Sequence, residues 1–121
     1  TLTVSLDERK AALASADSVF AVIAQTAPDS YLGNFWRARA NSALDPETTQ
    51  GLAKPYYEEV ATLLESKNDS HYNSALIECY SYLGYYYLVA NKLPESKDYW
   101  NKILAIDPAN ATAKRALDGI K

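Results

Sequence analysis

Residues 75–110 read ALIECYSYLGYYYLVANKLPESKDYWNKILAIDPAN, and this stretch decides the fold. Tyr80, Leu83 and Tyr87 recur at helical spacing and share one face of a helix predicted from about His71 to Ala90. Asn91-Lys92-Leu93 is a short turn. Pro94 then opens the next helix in its first turn, where its missing N–H removes no hydrogen bond. Tyr99, Trp100, Ile103 and Leu104 make the apolar stripe of that second helix, and Pro108 cannot continue it. Gly84 carries no side chain, so the second helix can come close to the backbone of the first. The unit is a pair of amphipathic helices with a firm stop.

Outward from this pair, the chain reads as more of the same. A helix is predicted from Leu6 to Thr26, with Ser5 and Glu8 as an S-x-x-E capping box and Leu13, Ala16, Phe20, Ile23 and Ala24 as its stripe. Ala27-Pro28-Asp29 stops it, and residues 1–4 are a frayed lead-in. A second helix runs from Ser30 to Ala43, capped by Asp29 or Ser30. It has a bulky face of Tyr31, Leu32, Phe35, Trp36 and Ala38, with Arg37 and Arg39 toward the other side. Residues 44–51 form a polar loop, and a third helix follows from Leu52 to Ser66 with Tyr57, Val60, Ala61 and Leu64 inward. Residues 67–70 are a turn and cap. A last helix spans Ala111 to Asp118, capped by Asn110 and stopped by Gly119. No strand pattern competes, so the class is all-α with about six helices.

Composition narrows the function. At 121 residues and 48% hydrophobic, the chain can build one domain with a real core. The net charge of −3 and the lack of a basic stripe exclude an ordinary nucleic-acid binder. No run of ~18 apolar residues is present, so membrane insertion is not expected. Cys79 is the only cysteine, which rules out an internal disulfide and leaves no local thiolate metal site. The chain starts at Thr1 with no Met or signal peptide, which reads as part of something longer. Its compartment is left open between cytoplasm and periplasm.

Six helices with short turns prompt a search for an internal period. Ile77 to Asn110 spans 34 residues and holds Tyr80, Leu83-Gly84, Tyr87, Ser96, Trp100 and Pro108 at fixed offsets. In this it resembles the tetratricopeptide repeat family, and the whole resembles a bacterial protein of that kind. Ile103 stands where a small residue is usual, which suggests looser helix packing there. The resemblance implies antiparallel helix pairs stacked as a short right-handed superhelix. Pro108 and Pro28 are 80 residues apart, twelve more than two periods of 34, and Gly84 and Ala38 are 46 apart, twelve more than one. Residues 1–121 are therefore expected as one domain. It comprises a partial repeat at about 6–28, an irregular repeat at about 29–70, the regular repeat 77–110 and a capping helix 111–120. Arg37 and Asn41 stand where the irregular repeat should be apolar.

Candidate chemistry is sparse. His71, the only histidine, sits at a helix start without a second titratable partner in the sequence and reads as a surface or capping residue. Cys79 lacks a local base or oxyanion donor and reads as a buried structural thiol. Asp45-Pro46-Glu47 and Asp107-Pro108 read as helix terminators. No nucleophile, base and phosphate cradle come together, so no enzyme activity, cofactor or metal is expected.

The tyrosines carry more information. If Tyr80, Leu83 and Tyr87 face inward, then Tyr82, Tyr85 and Tyr86 cannot all do so. These three either pack on the neighbouring repeat or meet a partner. The resemblance implies a concave groove lined by Glu78, Ser81, Tyr85, Leu88 and Val89, and by Leu32, Phe35, Arg39, Ser42 and Ala43 of the irregular repeat. Ser81, Tyr85 and Val89 do not supply the basic clamp with which some family members hold a terminal carboxylate. The expected function is a binding module for a protein or peptide segment, apolar and extended or helical. The alternative is a structural domain that packs on the rest of its own chain or on a second copy.

Overall fold

A computed structural model describes residues 6–26 and 30–120. The elements run α1 (Leu6–Thr26), α2 (Leu32–Leu44), α3 (Lys54–Lys67), a 3-10 turn (Ser70–Tyr72), α4 (Asn73–Val89), α5 (Leu93–Ile106) and α6 (Ala111–Gly119). Among the described residues there is no strand, and each helix packs on the next in chain order. The Ser5 cap, the Ala27-Pro28-Asp29 stop and the lead-in at 1–4 lie outside the described residues.

The elements begin and end where local chemistry places them. Ser30 Oγ accepts the Leu32 N–H at 3.3 Å. The Asp69 carboxylate accepts the His71 N–H at 2.9 Å and caps the 3-10 turn that leads into α4. That turn makes α4 shorter than the sequence predicts. Pro55 and Pro94 sit in the first turns of α3 and α5. Asn110 Oδ1 accepts the Ala113 N–H at 2.9 Å, as its place before α6 predicts. Gly119 is a difference: it is the last residue of α6 and not a left-handed stop.

The contact between α4 and α5 is built on Gly84. A Cβ there would stand 2.7 Å from Trp100 Cε2, inside any tolerable contact. Ser96 Oγ donates to the Gly84 carbonyl at 2.7 Å, and Trp100 Nε1 donates to Ser96 Oγ at 3.0 Å. The buried indole thus has its polar atom satisfied. Ile103 is fully buried beside them. Ala113 and Ile120 are also buried, so α6 contributes to the core as well as covering it.

The 45–53 connection is ordered by one side chain. Asp45 is buried, and its Oδ2 accepts the N–H groups of Gln50 at 3.1 Å and Gly51 at 2.8 Å. Gly51 has φ +69°, and a Cβ there would stand 2.5 Å from Tyr86 Cε1. The loop therefore lies on α4 and covers Tyr86.

On the other side, α1 packs on α2 through Leu13, Ala16, Phe20 and Ala24, all half-buried, while Ile23 of the predicted stripe is exposed. Asp17 explains the polar residues of α2. Its Oδ1 accepts from Arg37 Nε at 2.7 Å and from Asn41 Nδ2 at 2.8 Å. Arg37 also lies 4.4 Å from the Tyr56 ring centroid of α3. Both residues face the helix interface, where the repeat pattern asks for apolar side chains, and one carboxylate satisfies them.

Gly84→Ala is expected to destabilise the chain by about 1–3 kcal/mol through overpacking against Trp100. Gly119→Ala, with nothing within 4 Å of the added carbon, should leave stability within about 1 kcal/mol of wild type. The measurement is the urea midpoint at constant m-value. Equal midpoints for the two variants would show that the Gly84–Trp100 approach does not hold α5 in place.

Candidate functional site

The most connected side chains on the α2–α4 surface are Arg39 and Glu78. Arg39 Nε donates to Glu78 Oε2 at 2.9 Å and Nη2 donates to Oε1 at 2.6 Å, a two-pronged pair that spans the two helices. Tyr57 of α3 donates its hydroxyl to the same Oε2 at 2.9 Å, so one carboxylate ties three helices together. The guanidinium also lies 4.4 Å from the Phe35 centroid and 4.6 Å from that of Trp36. The hydrogen bond to Glu78 holds Arg39 above its ordinary pKa. Burial, and then the Glu78 charge, push the Tyr57 phenol up. The side chains of the pair keep 40% and 33% of their surface, so the ion pair itself adds on the order of 1 kcal/mol.

Beside this pair is a cavity of about 230 Å³ between α2 and the start of α4. Its aromatic walls are Tyr31, Phe35 and Tyr72. Tyr31 meets Phe35 at 5.5 Å and Tyr72 edge-on at 5.6 Å between centroids. Arg39 and Glu78 form its polar side, while Ser74 and His71 stand exposed at its rim. His71 serves as the capped residue described above, and its ring lies edge-on to Tyr72 at 5.3 Å.

The other residues expected in the groove continue along α4. Glu78, Ser81 and Tyr85 follow each other at three- and four-residue steps, and Leu88 and Val89 stand three and four residues beyond Tyr85, so they share a face. Tyr85 is 45% exposed and Val89 41%, whereas Ser81 and Leu88 are half-buried. Phe35 is buried, so it is a wall beneath the Arg39 guanidinium and not an open surface. Ser42 is half-buried, and Leu32 and Ala43 are exposed.

Two of the three tyrosines thought to face outward are packed. Tyr82 lies against Tyr57 at 4.7 Å, and its buried hydroxyl makes no hydrogen bond. Tyr86 lies on Gly51 and meets Tyr87 edge-on at 5.1 Å. Tyr80 is buried as expected and donates its hydroxyl to Glu65, while Tyr87 stacks on Tyr99 at 5.9 Å. Trp36 is a further difference. It stands on the bulky face of α2 but is exposed, with one side stacked on Phe20 at 6.1 Å. Tyr31 and Tyr72 were not tied to the groove by sequence reading, because helical spacing does not show which ends of two helices meet.

Cys79 is fully buried in the core, and burial pushes its thiol up to about 12. No group of His, Cys, Asp and Glu side chains among the described residues is arranged to hold a metal ion. A shallow depression of about 620 Å³ lies on α3 between Pro55 and Ser66, and neither His71 nor Cys79 lines it.

No family model and no curated protein matches this sequence. Among solved structures, the chain is similar to the crystal structure of the C-terminal part of the TPR repeat-containing protein from Cytophaga hutchinsonii. The identity is 41% and the TM-score 0.82, over 87% of this chain and 40% of that one. This chain thus spans less than half the length of the solved relative. The resemblance read from residues 77–110 holds: the chain is an all-α helical repeat of tetratricopeptide type, similar to that of a bacterial protein.

Alkali is expected to destabilise the chain through its buried acidic groups. Burial raises the Cys79 thiol from 9.0 to about 12 and also raises the phenols of Tyr57 and Tyr80. The unfolded chain therefore gives up these protons first. Their contribution to stability is complete below about pH 9 and declines as pH rises toward about 12. Urea midpoints should hold nearly level from pH 8 to about pH 9 and fall from there to pH 11. Cys79 should be silent to a thiol reagent at pH 8 until urea is added. A midpoint that stayed flat over this range would contradict the burial of these groups.

Proposed function

We propose that this tetratricopeptide-type chain is a non-catalytic interaction module that holds a segment of a protein partner along α4. The observation that carries the reading is the face of Ser81, Tyr85, Leu88 and Val89, which leads away from the neutralised Arg39–Glu78 pair. Tyr85 and Val89 are large and apolar, stay exposed, and stand on a helix held rigidly on its other sides by α3 and α5. Such a surface binds by burying apolar area and needs no reacting group. The titratable groups fit the same reading: the His71 N–H is capped by Asp69 at an exposed turn and Cys79 is sealed in the core.

In this reading residues 6–28 contribute the second helix of a partial repeat. Residues 29–70 are an irregular repeat, 77–110 the regular one, and α6 covers its end. The extra residues of the irregular repeat make the 45–53 loop and the 3-10 turn. The bacterial kinship is compatible with either cytoplasm or periplasm. No helix among the described residues is long and apolar enough to cross a membrane.

The test is retention of partner proteins on the immobilised chain. Those that bind specifically should be lost with Tyr85→Ala and Val89→Asp, both surface changes that leave the helical circular dichroism spectrum intact. An unchanged set of retained proteins with both variants would sink the reading.

A second reading has its own observation. Among the described residues, five of the seven exposed large hydrophobics, Val19, Val22, Ile23, Leu32 and Trp36, belong to α1 and α2 at one end of the stack. Burying that end against a second copy is the structural alternative, and a stable dimer needs more than about 1,000 Å² of buried surface. Light scattering after gel filtration distinguishes the two. Self-association predicts a dimer that Val22→Asp converts to a monomer, while a monomeric wild type removes this reading.

A further inference from the structure

The cavity between α2 and the start of α4 has a size and lining that select its occupant, and the geometry points to an anchor pocket for one neutral aromatic side chain of the partner segment. This rests on the reading of α4 as the partner site. The volume of about 230 Å³ lies below the ~300–1,000 Å³ of pockets for free small molecules. Holes of this scale at interfaces are filled by single buried anchors.

The lining then chooses the side chain. Tyr31 already meets Phe35 at a tilted 59° and Tyr72 edge-on at 80°. Aromatic rings favour this geometry, and a fourth ring can extend it. The charged groups of the lining are Arg39 and Glu78, which are bound to each other through two hydrogen bonds. An incoming carboxylate would have to displace Glu78, and an incoming ammonium would meet Arg39, so a neutral group is favoured. The Arg39 donors not bound to Glu78, together with Ser74 and His71 at the rim, can meet a phenol hydroxyl or the segment's backbone carbonyls.

The cavity also fixes a spacing. It is lined by Ala75, and Tyr85 lies ten residues further along α4, about 15 Å at the helical rise. An extended segment covers that distance in about four to five residues. The partner segment should therefore carry an aromatic residue with an apolar residue four or five positions away to rest on Tyr85 and Val89.

The experiment is titration of the 15N-labelled chain with N-acetyl-phenylalaninamide, with N-acetyl-leucinamide and phenylacetate as comparisons. Saturable amide shifts are expected at residues 31–39 and 71–78 with the neutral aromatic, at least tenfold weaker with the other two, and absent in Ser74→Trp, which fills the hole from its exposed rim. Intermolecular NOEs from the probe ring to Tyr31 and Tyr72 give a readout that needs no variant. Equal binding of the leucine probe, preference for phenylacetate, or NOEs only to other residues would overturn the assignment. Peptides selected from a random library separate it from its premise. Ligands that need Tyr85 but carry no aromatic residue would leave α4 as the partner site and remove the pocket. Ligands that ignore Tyr85 and the cavity alike would remove both.

Discussion

The structure depends on one close approach: the indole of Trp100 laid against the bare backbone of Gly84. An ordinary helix pair keeps its axes apart by the width of its side chains. Here one partner offers no side chain, and the large flat ring of the other fills the space. A buried indole needs an acceptor for its N–H, and the carbonyls of a helix interior are already taken by their own helix. Ser96 resolves both by accepting from Trp100 and donating to the Gly84 carbonyl. Glycine, serine and tryptophan at these offsets are therefore one interaction, and α5 has a single seat on α4.

The irregular half is held by different means. Where α4 and α5 use a bare glycine, α2 is fastened to its neighbours by two carboxylates. Asp17 receives Arg37 and Asn41 from one side, and Glu78 receives Arg39 and Tyr57 from the other. Gly33 repeats the close approach in part, since a Cβ there would stand 2.6 Å from the Ala24 backbone nitrogen. Such partly exposed polar ties add little stability each. They do fix the lateral position of α2, because an arginine fork bound at two oxygens tolerates little sliding. The register between the halves thus rests on charge geometry, and the cavity beside Arg39 is a consequence of it.

Helix identity was legible wherever a stop was chemical. Pro94, Pro108 and Asn110 act locally, and α5 and α6 begin and end close to where they indicate. Residues 77–110 carried the fold because their key contacts lie within one repeat. What could not be read were contacts between distant elements. Arg37 and Asn41 look like violations of a pattern until Asp17, twenty or more residues earlier, is seen to face them. Tyr86 looks exposed on a helical wheel, yet a loop with a left-handed glycine comes down on it. Ile23 looks inward by spacing, but a 21-residue helix that packs on one neighbour buries only a narrow stripe. Of the candidate site, the sequence reading put Arg39 and a face of α4 in one expected groove without pairing Arg39 with Glu78. It did not show that Tyr31 and Tyr72 close a cavity next to them.

Why the exposed face falls on α4 follows from what covers its other sides. The helix from Asn73 to Val89 is apolar nearly all round, a pattern that belongs to a buried helix. Tyr80 and Leu83 are taken up between α3 and α5, Gly84 by Trp100, Tyr82 by Tyr57 and Tyr86 by the 45–53 loop. Tyr85 and Val89 are what remains once every neighbour has been placed. A chain selected only for stability has little reason to keep a tyrosine and a valine in water on its most enclosed helix. Scattered apolar residues on a surface need no explanation. Two on one face, aligned with a half-buried leucine and ending at a neutralised ion pair, are the observation on which the proposed partner surface rests.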